Sequence, residues 1–267
     1  KCGEKGDIAK LISKLLGISY IEAKQIINPI SDLKKVLEGR GKKNIKIEEV
    51  VNKNKNFKLP KFTHPFRQGS TNIWQEIAHD FLVEKYNLTW QDIIDAKLHY
   101  CIGGKYKNSI IIPIYKDSIL VNFIGRVWDK NSNKRYLNCP NEESLYNTKC
   151  LLYNYDSIKQ GQDILIIVEG VFDCIRVKSI FSNVIATLGT EVTSHQIELL
   201  VEKKAKNYYI MFDADVHITT TKKKAKKLAD YLSAFGISKV VELPFGKDPA
   251  DLKEQEIKEI LNNYGIN

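Results

Sequence analysis

Five carboxylates in the C-terminal part of this 267-residue chain stand just past the ends of short apolar runs. Glu169 follows Ile164–Val168, Asp213 and Asp215 follow Tyr208–Phe212, and Asp248 follows Lys239–Leu243 after a Phe245-Gly246-Lys247 loop. Asp173 lies four residues beyond Glu169, one helical turn on, so it can share a face with it. Carboxylates gathered at one point repel each other and persist at neutral pH only with protons or cations. Oxygen-only donors favour Mg2+ or Mn2+ over zinc. Two such ions ~3.5–4 Å apart stabilise both the attacking and the leaving oxygen of a phosphoryl transfer. An Asp at a strand end also commonly caps the next helix. Asp213 or Asp215 alone would be read that way first, and it is the set of five that points to metal chemistry.

The acids need a scaffold that brings strand ends together. Apolar runs at 164–168, 184–188, 208–212 and 239–243 alternate with helical patterns at 171–181, 193–204, 219–235 and 253–263. Strands interleaved with helices of that length predict a parallel sheet covered on both faces, with ligands at its carboxyl edge. Upstream the period differs. Ser109–Ile114 and Ile119–Ile124 flank Lys116-Asp117-Ser118 as a hairpin, and a second turn is expected at Asn131-Ser132-Asn133. Residues 71–95 read as two helices, with Thr89 as cap of the second. Residues 7–39 read as helical, and the stretch to about 60 is rich in Lys and Asn, which suits a linker.

Composition narrows the class. The chain is 43% hydrophobic, enough for one or two cores, and no run approaches the ~18 apolar residues of a membrane span. No secretory signal is legible at the start, which begins at Lys1 as an excised chain would. Five scattered cysteines suit a reducing cytoplasm better than a disulfide framework. The net charge of +9 is carried entirely by residues 1–67, with 16 Lys/Arg against 7 Asp/Glu. That end either meets a polyanion or is a lysine-rich solubilising segment, and charge alone leaves the two readings even.

Residues 161–252 resemble a TOPRIM domain, the metal-binding unit of DnaG-type primases, type IA and II topoisomerases and some nucleases. The motifs are Val168-Glu169-Gly170-Val171-Phe172-Asp173, Ala186-Thr187-Leu188-Gly189-Thr190, Asp213-Ala214-Asp215 and Gly246-Lys247-Asp248-Pro249. Upstream, Lys105-Tyr106-Lys107-Asn108, Gly125-Arg126-Val127, Arg135-Tyr136-Leu137-Asn138-Cys139-Pro140 and Lys149 resemble the basic half of a DnaG polymerase core, and the whole looks closest to the short primases of phages and mobile elements. Cys2-Gly3-Glu4-Lys5-Gly6 is similar to the tail of the zinc ribbon that precedes such cores. A structural zinc needs four ligands, and only Cys2 is present, so zinc is not expected here.

The resemblance implies a fold, a set of roles and a set of partners. The expected architecture is α/β: a TOPRIM domain with a four-stranded parallel sheet at 161–267, an α+β basic subdomain at 61–160, and a helical and linker segment with the zinc-ribbon remnant at 1–60. Glu169, Asp213 and Asp215 would be catalytic, holding Mg2+ or Mn2+ with Asp173 and Asp248 nearby. Lys105, Lys107, Arg126, Arg135, Asn138 and Lys149 would hold template and nucleotide triphosphates, with Tyr136 lining the same groove. The implied activity is synthesis of a short RNA primer on single-stranded DNA, with a replicative helicase as a further partner. A TOPRIM nuclease and a catalytically silent nucleic-acid-binding subunit are the alternatives. Three features depart from the family pattern: Val216-His217-Ile218 replaces a small turn, Asp248-Pro249-Ala250-Asp251 replaces Asp-Pro-Asp, and Ser109 stands where an Arg that contacts template or nucleotide is common. The run Lys222-Lys223-Lys224 with Lys226 and Lys227 is read as a solvated helix face over a buried stripe of Ala225, Leu228, Ala229 and Leu232, ahead of the rival reading as a contact for DNA or a helicase.

Overall fold

The computed structural model describes residues 56–266, except 190 and 215–217, together with the backbone but not the side chains of 218–221. The helical segment at 7–39, most of the linker, Cys2 and Asp215 lie outside the described residues.

The hairpin forms as its pattern predicts. β3 (Ser109–Lys116) and β4 (Ile119–Val127) pair antiparallel around Asp117 and Ser118, whose φ values of 53° and 63° match the primed turn that follows the natural strand twist. Short strands β1 (Thr63–Pro65), β2 (His99–Cys101) and β5 (Tyr136–Asn138) extend it to a five-stranded sheet in the order β1-β2-β3-β4-β5. Helix α1 (Ile73–Tyr86) starts at Asn72, whose side chain accepts from the Trp74 and Gln75 amides, and ends at Asn87 in the left-handed conformation. Helix α2 (Trp90–Asp95) starts in a reciprocal capping box of Thr89 and Asp92, so the cap is where the sequence places it.

The second layer is the parallel sheet. Its strands are β6 (Ile164–Val168), β7 (Val184–Ala186), β8 (Asn207–Met211) and β9 (Ile237–Val240), in the order β7-β6-β8-β9. The intervening helices are α3 (Val171–Lys178), α4 (Ser194–Glu202), α5 (Ile218–Leu232) and, after β9, α6 (Glu254–Asn263). The free edge of β7 is closed by Tyr153, which exchanges two backbone hydrogen bonds with Ala186.

Strand pleating sends alternate residues of β6 to opposite cores. Ile166 and Val168 join a cluster with Phe172 and Ile175 of α3, Ile257 of α6, and Leu82, Ile112 and Ile114 of the upstream half. Leu165 and Ile167 face the other way, against Ile197 and Leu200 of α4 and Leu228 and Leu232 of α5. One continuous core thus spans the two sheets, while α4 and α5 cover the face turned away from the basic half. Each fully buried Leu or Ile contributes about 1.5–3 kcal/mol, so this shared core fixes how the two halves meet.

Candidate active site

From β6 the chain passes through α3 to β7 on one side, then crosses to β8 on the other. The ends of β6 and β8 therefore flank the point where strand order reverses, the ordinary ligand position in such sheets. Val168 pairs with Met211, so Glu169 lies one residue and Asp213 two residues beyond a paired position. With neighbouring strands about 4.8 Å apart, the two acids leave the sheet side by side. Both are half-buried.

Backbone bonds draw the third acidic loop onto this edge. The Ala214 amide donates to Lys247 O (3.0 Å) and the Gly246 amide to Ala214 O (2.7 Å). Asp173 clasps the same region. Its Oδ2 accepts from the Gly170 amide (2.9 Å), closing the first turn of α3, and its Oδ1 accepts from the Ala250 amide (3.3 Å). Asp248 and Asp251 cap each other across the turn at Pro249–Asp251: the Asp251 amide donates to Asp248 Oδ1 (2.8 Å) and the Asp248 amide to Asp251 Oδ2 (3.4 Å). Asp173 and Asp248, expected as neighbours of the metals, therefore also hold the loops in place, and a carboxylate accepting one bond per oxygen keeps lone pairs for a cation.

The electrostatics are those of crowded like charges. Burial pushes the Asp173 carboxyl well above the ordinary carboxylate range, and the charges of Asp213 and then Asp248 push it further. Asp248 is raised first by burial, then by Asp251, with Lys85 pulling the other way. A hard divalent cation relieves such crowding, and the donor set is all oxygen, so the residues fit Mg2+ or Mn2+. Among the described residues no group of three His, Cys, Asp or Glu stands at ligating distances, and Asp215 is not among them.

The basic half reaches this edge through Lys85, Tyr86 and Asn87, which the sequence does not single out, and through Arg126 and Tyr136, which it does. The last turn of α1 docks on the acidic loop: Lys85 Nζ lies 3.6 Å from Asp251, and Asn87 Nδ2 donates to Ala250 O (3.2 Å). Tyr86 stacks on Phe172 of α3, with ring centroids 3.9 Å apart and planes 10° from parallel. Arg126 Nε donates to the Tyr86 hydroxyl (2.6 Å), and Nη1 to Arg135 O (3.1 Å). Its guanidinium also lies 4.9 Å from the Tyr136 ring centroid. The Tyr86 and Tyr136 rings both lie against the Arg126 guanidinium, and the Tyr136 phenol is raised chiefly by burial, with the charges of Asp173 and Asp248 pushing the same way. Burial raises both phenols above their ordinary range, so they stay protonated donors.

The expected basic contacts separate into two kinds. Lys105, Lys107, Arg135, Asn138 and Lys149 are exposed. Lys149 sits by the start of α4, where Thr193 Oγ1 donates to its carbonyl (2.8 Å). Arg126 is buried, at 8% exposure, and its guanidinium is engaged with protein groups. Tyr86, Lys85 and Asn87 carry no sequence signal beyond a helix end.

A family model described as Toprim-like matches residues 166–253, and one described as the N-terminal domain of the DNA primase catalytic core matches residues 43–159. Between them the two matches give residues 43–253 the two-part pattern of a DnaG-type primase core. The DNA primase of Clostridium acetobutylicum is 26% identical over 97% of this chain and 48% of its own length, and that of Aquifex aeolicus 28% over 99% and 58%. The chain thus spans about half the length of these relatives. Among solved structures, a DnaG primase catalytic domain bound to ssDNA superposes with a TM-score of 0.61 at 21% identity, over 74% of this chain and 73% of that one. That likeness bears on the fold, and it agrees with the expected four-stranded parallel sheet flanked by helices.

Proposed function

We propose that this chain is the nucleotide-joining core of a DNA primase, making short RNA primers on single-stranded DNA. The observation that carries the reading is the docking of the last turn of α1 on the acidic loop. Lys85 and Asn87 belong to the half matched by the primase model, and they reach Asp251 (3.6 Å) and Ala250 O (3.2 Å) in the Toprim-like half, so both halves line one site.

Glu169, Asp213 and Asp215 are the proposed metal ligands and catalytic residues, with Asp173 and Asp248 adding negative charge and holding the loops. When bound, Mg2+ or Mn2+ supplies positive charge to the reacting phosphate and acidifies the attacking hydroxyl. Glu169 takes up the proton of the 3′-hydroxyl. The new bond joins that 3′-oxygen to the α-phosphorus of the next nucleotide, the bond from this phosphorus to the bridging oxygen breaks, and pyrophosphate leaves. Lys105, Lys107, Arg135 and Lys149 bind template and triphosphate phosphates, Arg by paired donors and Lys as point charge. Asn138 adds a polar contact. Arg126 acts from within, holding Tyr86 and Tyr136 in place.

A single-stranded template, nucleotide triphosphates, an RNA primer and a replicative helicase are the partners this role implies. A cytoplasmic setting suits four described cysteines that form no disulfide. No described helix is long and apolar enough to cross a membrane. Kinship with the short phage and mobile-element primases belongs to the same proposal and is supported by the sequence motifs. The decisive experiment is template-dependent dinucleotide synthesis with Mg2+ or Mn2+, with and without EDTA. Wild type should be active and EDTA-sensitive, and Glu169→Gln should lose at least about 100-fold while melting normally. Primer synthesis by Glu169→Gln at the wild-type rate would make the acids structural. Nicking of supercoiled plasmid without primer synthesis would favour a nuclease.

A further inference from the structure

The amphipathic pattern of α5 places Ala225, Leu228, Ala229 and Leu232 in the core under the sheet. Its lysines therefore face outward, on the side of the molecule turned away from the basic half. Lys222 pairs with Glu242 (3.3 Å) and Lys224 with Glu191 (3.8 Å). Lys223, Lys226 and Lys227 are exposed, at i, i+3 and i+4 on one helix face, and have no acidic partner within 4 Å among the described residues. Asp230 is the next exposed position on that face and is not ion-paired with them. Three like charges held side by side disfavour the isolated helix, and a polyanion reverses that cost.

Beside this face, α4 and α5 enclose an open cleft of about 330 Å³. Its lining includes Val192, Ile197, Leu228 and Tyr231 together with Lys227, Lys224 and the Glu191 that pairs with Lys224. Lys227 Nζ lies 5.8 Å from the Tyr231 ring centroid, so charge and aromatic surface adjoin. Single strands are held by this combination, with lysines tracking the backbone and aromatic rings stacking bases. An acidic peptide would use the lysines and has no need of the slot, and a duplex keeps its bases stacked inside.

We propose that the lysine face of α5 and the adjoining α4–α5 cleft bind single-stranded nucleic acid, with phosphates on Lys223, Lys226 and Lys227 and a base against Tyr231. The site is separate from the groove at Lys105 and Lys107, since it lies on the opposite face of the parallel sheet. The inference rests on the reading of the chain as a nucleic-acid enzyme, and its test separates the two.

The test is binding of a fluorescent 15-nucleotide oligothymidylate to the full chain, followed by anisotropy from 50 to 200 mM salt. The triple variant Lys223→Ala/Lys226→Ala/Lys227→Ala should flatten the slope of log K against log salt by about 2, at roughly 0.7 per phosphate contact on a single strand. Tyr231→Ala should weaken binding about fivefold or more at fixed salt. The triple variant should melt like wild type, because its side chains lie at the surface, and Tyr231→Ala, which removes a half-buried ring packed on the core, is compared well below its own melting midpoint. A triple variant with the wild-type slope and affinity overturns the inference, and if the wild type still binds, the primase reading stands. A flattened slope with Tyr231→Ala binding as wild type overturns the base slot and leaves a charge-only surface. Failure of the wild type to bind at all defeats both readings.

Discussion

Replacing Tyr86 by Phe removes one oxygen and leaves the ring on Phe172. That oxygen is the acceptor for Arg126 Nε at 2.6 Å. Arg126 is nearly buried, and its other recorded hydrogen bond is to Arg135 O. The variant therefore strands part of a guanidinium away from water. A hydrogen bond to a charged group contributes about 1.5–3 kcal/mol, and each kcal/mol moves the melting point of a chain this size by roughly 2–4 °C, so the expected fall is about 3–12 °C. Scanning calorimetry with parallel urea titration measures it. A second substitution separates stranded charge from simple loss of fit. In Tyr86→Phe/Arg126→Met no charge is left behind, so the double variant should be destabilised by less than the sum of the single ones. Because the Arg126 guanidinium that lies on the Tyr136 ring is loosened or removed, primer synthesis should fall in both single variants, while the salt slope of DNA binding stays at the wild-type value for Arg126→Met and drops for Lys107→Ala. A Tyr86→Phe variant melting within about 1 °C of wild type, or strict additivity in the double variant, would refute the reasoning.

Two further outcomes follow from local geometry. An added Cβ at Gly170 would sit 2.6 Å from Asp173 Oδ2, so Gly170→Ala should push that carboxylate off its clasp and cost about 1–3 kcal/mol, read as a lower urea midpoint; an unchanged midpoint would show that the clasp is slack. His99 is lowered below its ordinary value of 6.5, chiefly by burial and against the opposing effect of its contact with Lys97 O (2.8 Å). Between the folded value and 6.5 the unfolded chain binds more protons, so stability rises with pH through that window and is lost as pH falls below 6.5. His99→Gln should reduce the difference in urea midpoint between pH 7.5 and pH 5.5, and an identical difference in variant and wild type would count against the burial argument.

Much of the site's scaffold can be read from the linear pattern. The run Ile164–Val168 coincides with β6, and Thr89 caps α2. The turn at Asp117-Ser118 has the two positive φ values that the hairpin needs, although β3 and β4 extend to Lys116 and Val127, beyond the apolar runs, because ladder pairing continues past them, in β4 through Gly125 and the buried Arg126. β7 is shorter than its apolar run, ending at Ala186, since Leu188 already takes a positive φ of 61°. α3 stops at Lys178, not at 181, where Ile180 and Phe181 fold back with their amides on Val177 O. β1 is not legible at all: Thr63–Pro65 is three residues long and contains a proline, so no periodicity can reveal it, and only pairing with β2 makes it a strand.

Residue type and period alone set the order of strands and helices, the carboxylates at the strand ends and the oxygen-only donor chemistry, because those depend on neighbours a few positions away. What each charge does was decided by contacts between residues far apart in sequence. Arg126 and Arg135 look alike in the sequence, yet one lies inside against Tyr86 and the other in solvent, a distinction made by the packing of α1 on α3. Asp251 looks like a spare metal ligand and is bound to the Asp248 amide and Lys85. The α5 lysines read as an ordinary solvated face until α4 is brought alongside to form a cleft with an aromatic wall. Burial and desolvation act through three-dimensional neighbours, and these no spacing along the chain can specify.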